Sequence, residues 1–147
     1  MGFATLYPSY ELGAVGDLTN FKPSWLRQIG DTSEARFGVS TSNDYRTTFF
    51  KANPELEGKV VVHHAVEQGV LKRFPGVVNE SEMHSLENLR GIPNDLNSML
   101  HLSSLRAEWN QFYKPFMANG TMPTKIQLLQ KATELDAKYG DQFIPPH

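Results

Sequence analysis

The chain has 147 residues, which is the usual size of one domain and long enough to bury a core. Hydrophobic residues make up 39% of the chain and charged residues 20%, so wholesale disorder is excluded. The formal net charge is −2 with neutral histidines, and these totals do not indicate a nucleic-acid binder. A phosphate-binding site in this chain therefore requires a local basic patch.

The sequence contains no cysteine, and this limits the metal chemistry of the chain. Disulfides and thiolate zinc sites are excluded, which leaves histidine, aspartate, glutamate and asparagine as metal ligands. No stretch approaches 18 apolar residues, and no basic segment precedes an apolar run at the N-terminus. We therefore expect neither a membrane segment nor a standard signal peptide.

Residues 1–57 predict a loop-rich N-terminal extension that packs on the rest of the chain. Glycine, proline and small polar residues are frequent in this part, and one short helix is predicted over residues 23–29. Residues 36–50 mix β-branched and aromatic side chains around a Ser-Asn-Asp turn signal. This mixture favours a hairpin or an extended arm.

The second part, residues 58–147, begins with the segment KVVVHHAV. Three consecutive valines before His63 and His64 are typical of a strand that ends at the histidine pair. The following segment, VEQGVLKRF, predicts one or two helical turns that end before a Pro-Gly pair.

Capping signals mark the next elements of the chain. Asn79 and Glu82 have the spacing of a capping box, which predicts a short helix. LRGIP, at residues 89–93, indicates a short extended segment that a proline closes.

Two longer helices are predicted in the last third of the chain. The first begins at Asn94 and should end near Tyr113, because Pro115 follows. The second runs from Thr124 to Lys138, with a glycine stop after it. The aromatic residues of the first helix recur at helical spacing and predict core rather than a base-stacking surface: Trp109, Phe112 and Tyr113.

Four of the five histidines fall within 39 consecutive positions: His63, His64, His84 and His101. A single histidine is more often structural, and for His84 we expect a polar surface position, with a metal ligand or a leaving-group acid as the alternative. Adjacent histidines at a strand end point to opposite sides, so one ring can hold a cation while the other faces a water. A phosphodiester hydrolase needs both a general base and a divalent ion.

The segments VVHHAVEQ, HSLENLRGIP and LHLSSLRAEWNQFY resemble the HNH/endonuclease VII superfamily. The resemblance is to its double-histidine versions, which occur at the C-termini of bacterial polymorphic toxins, including Rhs-type effectors. It covers about residues 58–115 and implies an α+β fold, a mainly helical domain around a ββα-metal core. In that core one strand ends at the histidines, a second carries an asparagine, and a helix supplies another ligand.

The resemblance implies a role for each matching residue. His64 would be the general base and His63 a metal ligand. Asn88 would hold the ion or orient the base, and His101 would be a second imidazole ligand or a phosphate contact.

Asn94 and Asn97 are rivals of Asn88 for its role, and the alternative for each is a helix cap or a turn residue. The implied cofactor is a divalent metal, Mg²⁺ first, with Zn²⁺ and Mn²⁺ as alternatives.

Residues near the proposed site have supporting roles in this interpretation. Arg90 and Arg106 are the favoured phosphate contacts, since a guanidinium offers a planar fork to phosphate oxygens. Glu67 is expected to orient a metal-bound histidine from behind. Asn97, four residues before His101, shares its helical face and is expected to support it in the same way.

The implied function is a metal-dependent endonuclease that hydrolyses phosphodiester bonds of DNA, with RNA as the alternative substrate. It would be the toxin domain of a secreted antibacterial effector, acting in the target-cell cytoplasm and neutralised in the producing cell by a cognate immunity protein. The alternative is a non-catalytic module on the same scaffold that binds nucleic acid or a protein. A metal-dependent hydrolase of another substrate is not favoured, because this sequence lacks the HExxH or clustered-aspartate signature that such enzymes usually carry.

Overall fold

A computed structural model describes residues 34–147, and the helix predicted over residues 23–29 lies outside them. The described chain is largely helical, with one two-stranded antiparallel sheet, and this confirms the α+β class. Residues 34–57 belong to the same compact unit as residues 58–147, so the boundary expected at residue 57 falls inside this unit.

The sheet consists of strand β1, Val60–His64, and strand β2, Leu89–Pro93. Both strands lie where the valine run and the LRGIP segment predict them. They pair antiparallel in a register that sets His63 opposite Arg90. Because successive side chains of a strand point to opposite faces, His63 and His64 leave β1 on different sides.

Helix α1 spans Tyr45–Ala52, where we expected a hairpin or an extended arm. The Ser-Asn-Asp signal is a helix start, because the Asp44 side chain accepts a hydrogen bond from the backbone N–H of Thr47. Phe49 is buried in a small cluster against both strands. The expectation was wrong because capping and the burial of this one helical face outweigh the β propensity of the individual residues.

Two short helices lie between the strands, α2 over Gly69–Arg73 and α3 over Glu80–Met83. The predicted capping box is present at the start of α3. The Asn79 side chain accepts from the backbone N–H of Glu82 at 2.8 Å, and the Glu82 carboxylate accepts from the backbone N–H of Asn79 at 3.1 Å. Sequence and structure agree for both helices.

The helical pattern that begins at Asn94 changes its geometry along its length. A single 3₁₀ turn, Asn94–Leu96, leads into a π-helical segment, Asn97–Leu105, and then into helix α4, Arg106–Asn119. π-helical backbone is rare and occurs frequently at functional sites. Here it carries His101.

Helix α4 continues through Pro115, so the stop predicted before this proline is wrong. The reason is packing on both sides of the proline. The Phe116 ring lies 5.4 Å from the Phe112 ring and 6.2 Å from the Phe74 ring, between centroids. The helix ends instead at Gly120, whose positive φ of 67° is a left-handed cap.

Helix α5 spans Lys125–Tyr139 and is capped by Thr124, close to the predicted bounds. Ile126 of this helix is exposed, and Leu129 is partly buried against the core. The α5 residues in the core are Leu128, Ala132 and Leu135. The aromatic residues of α4 are in the core as expected, with Trp109 and Tyr113 buried and Phe112 packed against them. None of the helices within residues 34–147 is long and apolar enough to cross a membrane.

The last residues of the chain pack against strand β2. The backbone N–H of Ile144 donates to the carbonyl of Gly91 at 2.9 Å. A Cβ atom at position 91 would overlap the carbonyl oxygen of Ile144, so this contact requires glycine.

We predict that Gly91→Ala lowers the free energy of unfolding by about 1–3 kcal/mol, because the added methyl group displaces the tail from the strand. The measurement is urea denaturation followed by circular dichroism. Gly69→Ala is the matched control, since its Cβ would meet no neighbour closer than 3.6 Å. Equal unfolding midpoints for the two variants would contradict the proposed contact.

Candidate functional site

The end of β1, helices α1 and α2, the π-helical segment and the start of α4 line one cleft of about 340 Å³. The side chains that line this cleft include three imidazoles and three guanidinium groups. They are His63, His64, His101, Arg46, Arg73 and Arg106. The sequence places these residues on separate elements, and the fold brings them together.

His63 and His101 form the first imidazole pair. Their ring centroids lie 4.8 Å apart in an edge-to-face arrangement. Nδ1 of His101 lies 3.0 Å from Oδ1 of Asn97, in the supporting position predicted for that asparagine. Because an amide oxygen can only accept, Nδ1 carries the hydrogen, and Nε2 of His101 keeps its lone pair.

Both imidazoles of this pair are neutral at neutral pH. Burial lowers the pKa of His63 well below its ordinary value, and the neighbouring His101 and His64 lower it further. Burial also lowers the pKa of His101, with a smaller effect from the charge of Arg106. Neutral imidazole is the form that binds metal ions.

His64 and His84 form a second imidazole pair on the other side of β1. Nε2 of His64 lies 3.1 Å from Nδ1 of His84. The Tyr45 ring meets His64 edge-on at 4.4 Å and stacks on His84 at 5.5 Å. Burial and the neighbouring His84 lower the pKa of His64 to about 3.

The surface position expected for His84 is wrong. Its side chain is 5% exposed, because α3 ends at this residue and the ring turns inward onto Tyr45 and His64. The capping box predicts the start of α3, but not the direction of the ring that follows its end.

Asn88 is buried behind the cleft and does not line it, whereas a metal ligand would. Its side chain is 1% exposed, and its Oδ1 accepts from the backbone N–H of Val66 at 2.9 Å. Its amide nitrogen donates to the carbonyls of Val66 and Met83. These contacts tie the chain after β1 to the end of α3. The oxygen expected to hold the ion is used by the backbone, and the expected role in orienting the base stays a prediction.

Arg90 does not line the cleft, and the expectation that it binds phosphate is wrong. It is 4% exposed, and its guanidinium forms two hydrogen bonds with the Asp136 carboxylate, at 3.1 and 2.8 Å. It also donates to the carbonyls of Glu87 and Leu89. Its donors are therefore used inside the protein, whereas Arg106 is exposed in the cleft.

Glu67 lines the cleft but contacts a tyrosine instead of the expected histidine. The Tyr113 hydroxyl donates to its carboxylate at 2.9 Å. Burial raises the pKa of Glu67, while this hydrogen bond and the charges of Arg73 and Arg106 oppose the rise. The contact fixes α4 against the chain that follows β1.

The donor set of the cleft limits which ion it could hold. Residues 34–147 contain no group of three histidine, aspartate or glutamate side chains arranged for a metal. The pair His63 and His101 could supply two imidazole ligands, with solvent or substrate oxygens completing the shell. Imidazole donors suit Zn²⁺ or Mn²⁺ better than Mg²⁺, which prefers oxygen.

Tyr45 and Arg46 are cleft residues that the sequence interpretation missed. Both lie on α1, which was predicted to be extended. The signal that could have revealed them is Asp44 as an N-cap, followed by aromatic residues four positions apart.

No family model, no curated protein and no solved structure matches the chain. The resemblance to the HNH/endonuclease VII superfamily therefore stays a prediction.

We predict that the EDTA-treated protein loses stability as the pH falls below 6.5, the ordinary histidine pKa. The unfolded chain takes up a proton at His64 near that pH, whereas the folded chain does so only near pH 3. The contribution of neutral His64 to the free energy of unfolding is therefore fully present above pH 6.5 and is lost as the pH falls toward 3. His64→Gln lacks this titrating group. Between pH 3 and 6.5 the unfolding free energy of the variant should therefore change less with pH than that of the wild type, by up to about 1.4 kcal/mol per pH unit.

Urea denaturation at several pH values measures both slopes. Equal slopes for the wild type and His64→Gln would contradict the prediction.

We predict that Arg90→Gln lowers the free energy of unfolding by about 3–5 kcal/mol, because it leaves the Asp136 carboxylate buried without its partner. Arg106→Gln is the matched control and should change it by less than about 0.5 kcal/mol, since Arg106 is exposed. Thermal unfolding measures both variants. A stable Arg90→Gln protein would contradict the assignment of Arg90 to the core.

Proposed function

We propose that this chain is a metal-dependent endonuclease that hydrolyses phosphodiester bonds of DNA, within a ββα-metal core of the HNH kind. The observation that carries the proposal is the cleft, which combines neutral imidazoles with three guanidinium groups. The imidazoles could transfer a proton and hold an ion, and the guanidinium groups could bind an anionic substrate.

The charges of the cleft favour an anionic substrate. Arg46, Arg73 and Arg106 form no salt bridge with any side chain in the described part of the protein, in contrast to Arg90. The acidic side chain in the cleft is Glu67, and burial opposes its ionisation. A chain with a net charge of −2 thus gathers positive charge at one place, where it would attract phosphate groups.

His64 is the proposed general base. Its low pKa keeps the ring unprotonated at neutral pH, so a lone pair is ready to accept a proton from water. A low pKa also makes the ring a weak acceptor, but the negative charge of a phosphodiester bound in the cleft would raise it. His63 and His101 are the proposed ligands of a divalent ion. Such an ion would offset charge on the phosphate and on the leaving oxygen.

We further propose that the chain is the toxin domain of a secreted antibacterial effector that acts in the target-cell cytoplasm. A nuclease of this kind requires a cognate immunity protein in the producing cell. These parts of the proposal rest on the resemblance of the histidine segments to polymorphic toxins.

A non-catalytic binding module is the second candidate. The lack of a three-ligand metal group among residues 34–147 favours it, because a cleft lined by arginines can hold nucleic acid without cleaving it. Nicking of DNA by the purified protein separates the two candidates, since a binding module shifts the DNA in a gel and leaves it intact.

We predict that the full chain nicks supercoiled plasmid with Mn²⁺ or Zn²⁺, more slowly with Mg²⁺, and not with EDTA. His64→Ala should lower the rate by about 100-fold or more, the usual contribution of a general base. His63→Ala and His101→Ala should raise the metal concentration needed for half-maximal cleavage.

His147→Gln is the matched control, because His147 lies beside Arg90 and Asp136 outside the cleft. It should cleave like the wild type. Equal nicking by wild type and His64→Ala would reject the proposed base, and cleavage of RNA alone would reject DNA as the substrate.

A further inference from the structure

The contact between His64 and His84 limits where the hydrogen atoms of both rings can lie. Nε2 of His64 and Nδ1 of His84 are 3.1 Å apart, and both side chains are buried. A hydrogen bond between two imidazoles has one hydrogen between its two nitrogens. Either His64 donates and His84 accepts, or the reverse.

The two arrangements differ in what they leave on His64. When His64 donates from Nε2, the neutral ring keeps a lone pair on Nδ1. When His84 donates, Nε2 of His64 is the acceptor and its hydrogen sits on Nδ1, so the ring has no lone pair left for a substrate water. Only the first arrangement is compatible with His64 as a general base.

The surroundings of the pair favour the first arrangement. His64 lines the cleft and His84 does not, so the bond to His84 joins the site to the interior behind it. Arg46 lines the cleft with His64, and its positive charge acts on the His64 ring. The two nitrogens of an imidazole point in different directions, so Nδ1 of His64 points away from His84. Positive charge near Nδ1 favours a lone pair there over an N–H.

The geometry points to His84 as the residue that fixes the tautomer of His64: its Nδ1 accepts the hydrogen of His64 Nε2 and leaves His64 Nδ1 as the proton acceptor. This inference rests on the proposed function of His64. His84 is a positioning residue, since it acts through another side chain and does not line the cleft.

Tyr45 holds both rings in this geometry. Its ring is nearly parallel to His84, at an interplanar angle of 9°, and meets His64 at 66°. Helix α1 therefore contributes to the site in two ways, through this aromatic support and through Arg46 in the cleft.

The tautomer can be measured without any assay of cleavage. A long-range ¹H–¹⁵N correlation spectrum of the histidine-labelled full chain in EDTA distinguishes protonated from unprotonated ring nitrogens, and His64→Gln assigns the signals of His64. We expect the hydrogen of His64 on Nε2. A hydrogen on Nδ1 in the wild type would overturn the inference, whether or not the chain cleaves DNA.

Two substitutions at position 84 test the consequence for catalysis. His84→Asn keeps an acceptor near the place of Nδ1 and should retain cleavage with the wild-type tautomer of His64. His84→Leu keeps apolar bulk but removes the acceptor, so kcat should fall at least about tenfold with an unchanged KM, and the His64 signals should show mixed tautomers.

The outcomes separate this inference from the proposed function. Absence of cleavage by the wild type would reject the function, while the spectrum still decides the tautomer. Cleavage by the wild type and by His84→Leu at equal kcat would reject the role of His84 and leave His64 as the base. A Leu variant with a lower Tm is compared with His84→Asn at a temperature where both are folded. Equal loss of kcat in both variants there would indicate a packing role and reject tautomer control.

Discussion

The hydrogen bonds of Asn88 are the contacts on which the arrangement of the cleft depends. Its buried amide joins the chain after β1 to the end of α3, through the backbone of Val66 and Met83. Leaving a buried polar group without such partners lowers the free energy of unfolding by about 1–3 kcal/mol. The fold therefore favours the one arrangement in which these two segments meet the Asn88 amide. This amide lies next to the ends of β1 and α3, and those two ends carry His64 and His84.

Each histidine of the adjacent pair has an imidazole partner from a different helical element. His63 meets His101 from the π-helical segment, and His64 meets His84 from the end of α3. This division follows from the alternation of side chains along a strand. Three of the four rings are buried and His101 is partly buried, which lowers the pKa of each ring, but the contacts of the two pairs differ. His101 has an amide oxygen behind it, and His64 has another imidazole.

The arginines illustrate how burial separates residues of the same type. Arg90 pairs with Asp136 inside the protein, where an unpaired charge would be strongly destabilising. Arg46, Arg73 and Arg106 lie in the cleft, where solvent lowers the cost of a charge. The net charge of the chain therefore says little about the local charge that an approaching phosphate group would meet.

The sequence by itself determined the local elements: the strand of valines before His63, the capping box of α3 and the amphipathic helix α5. Short-range patterns and caps encode these, so they are readable without the fold. The tertiary structure decided three other features. Helix α1 stands where a hairpin or an extended arm was expected, Arg90 turned to the core, and His84 came to the back of His64. The Asp44 cap of α1 is a local signal, but the burial of Phe49 that outweighs β propensity comes largely from the two strands. Arg90 and His84 have partners 46 and 20 positions away, and contacts at such separations leave no period or spacing in the sequence.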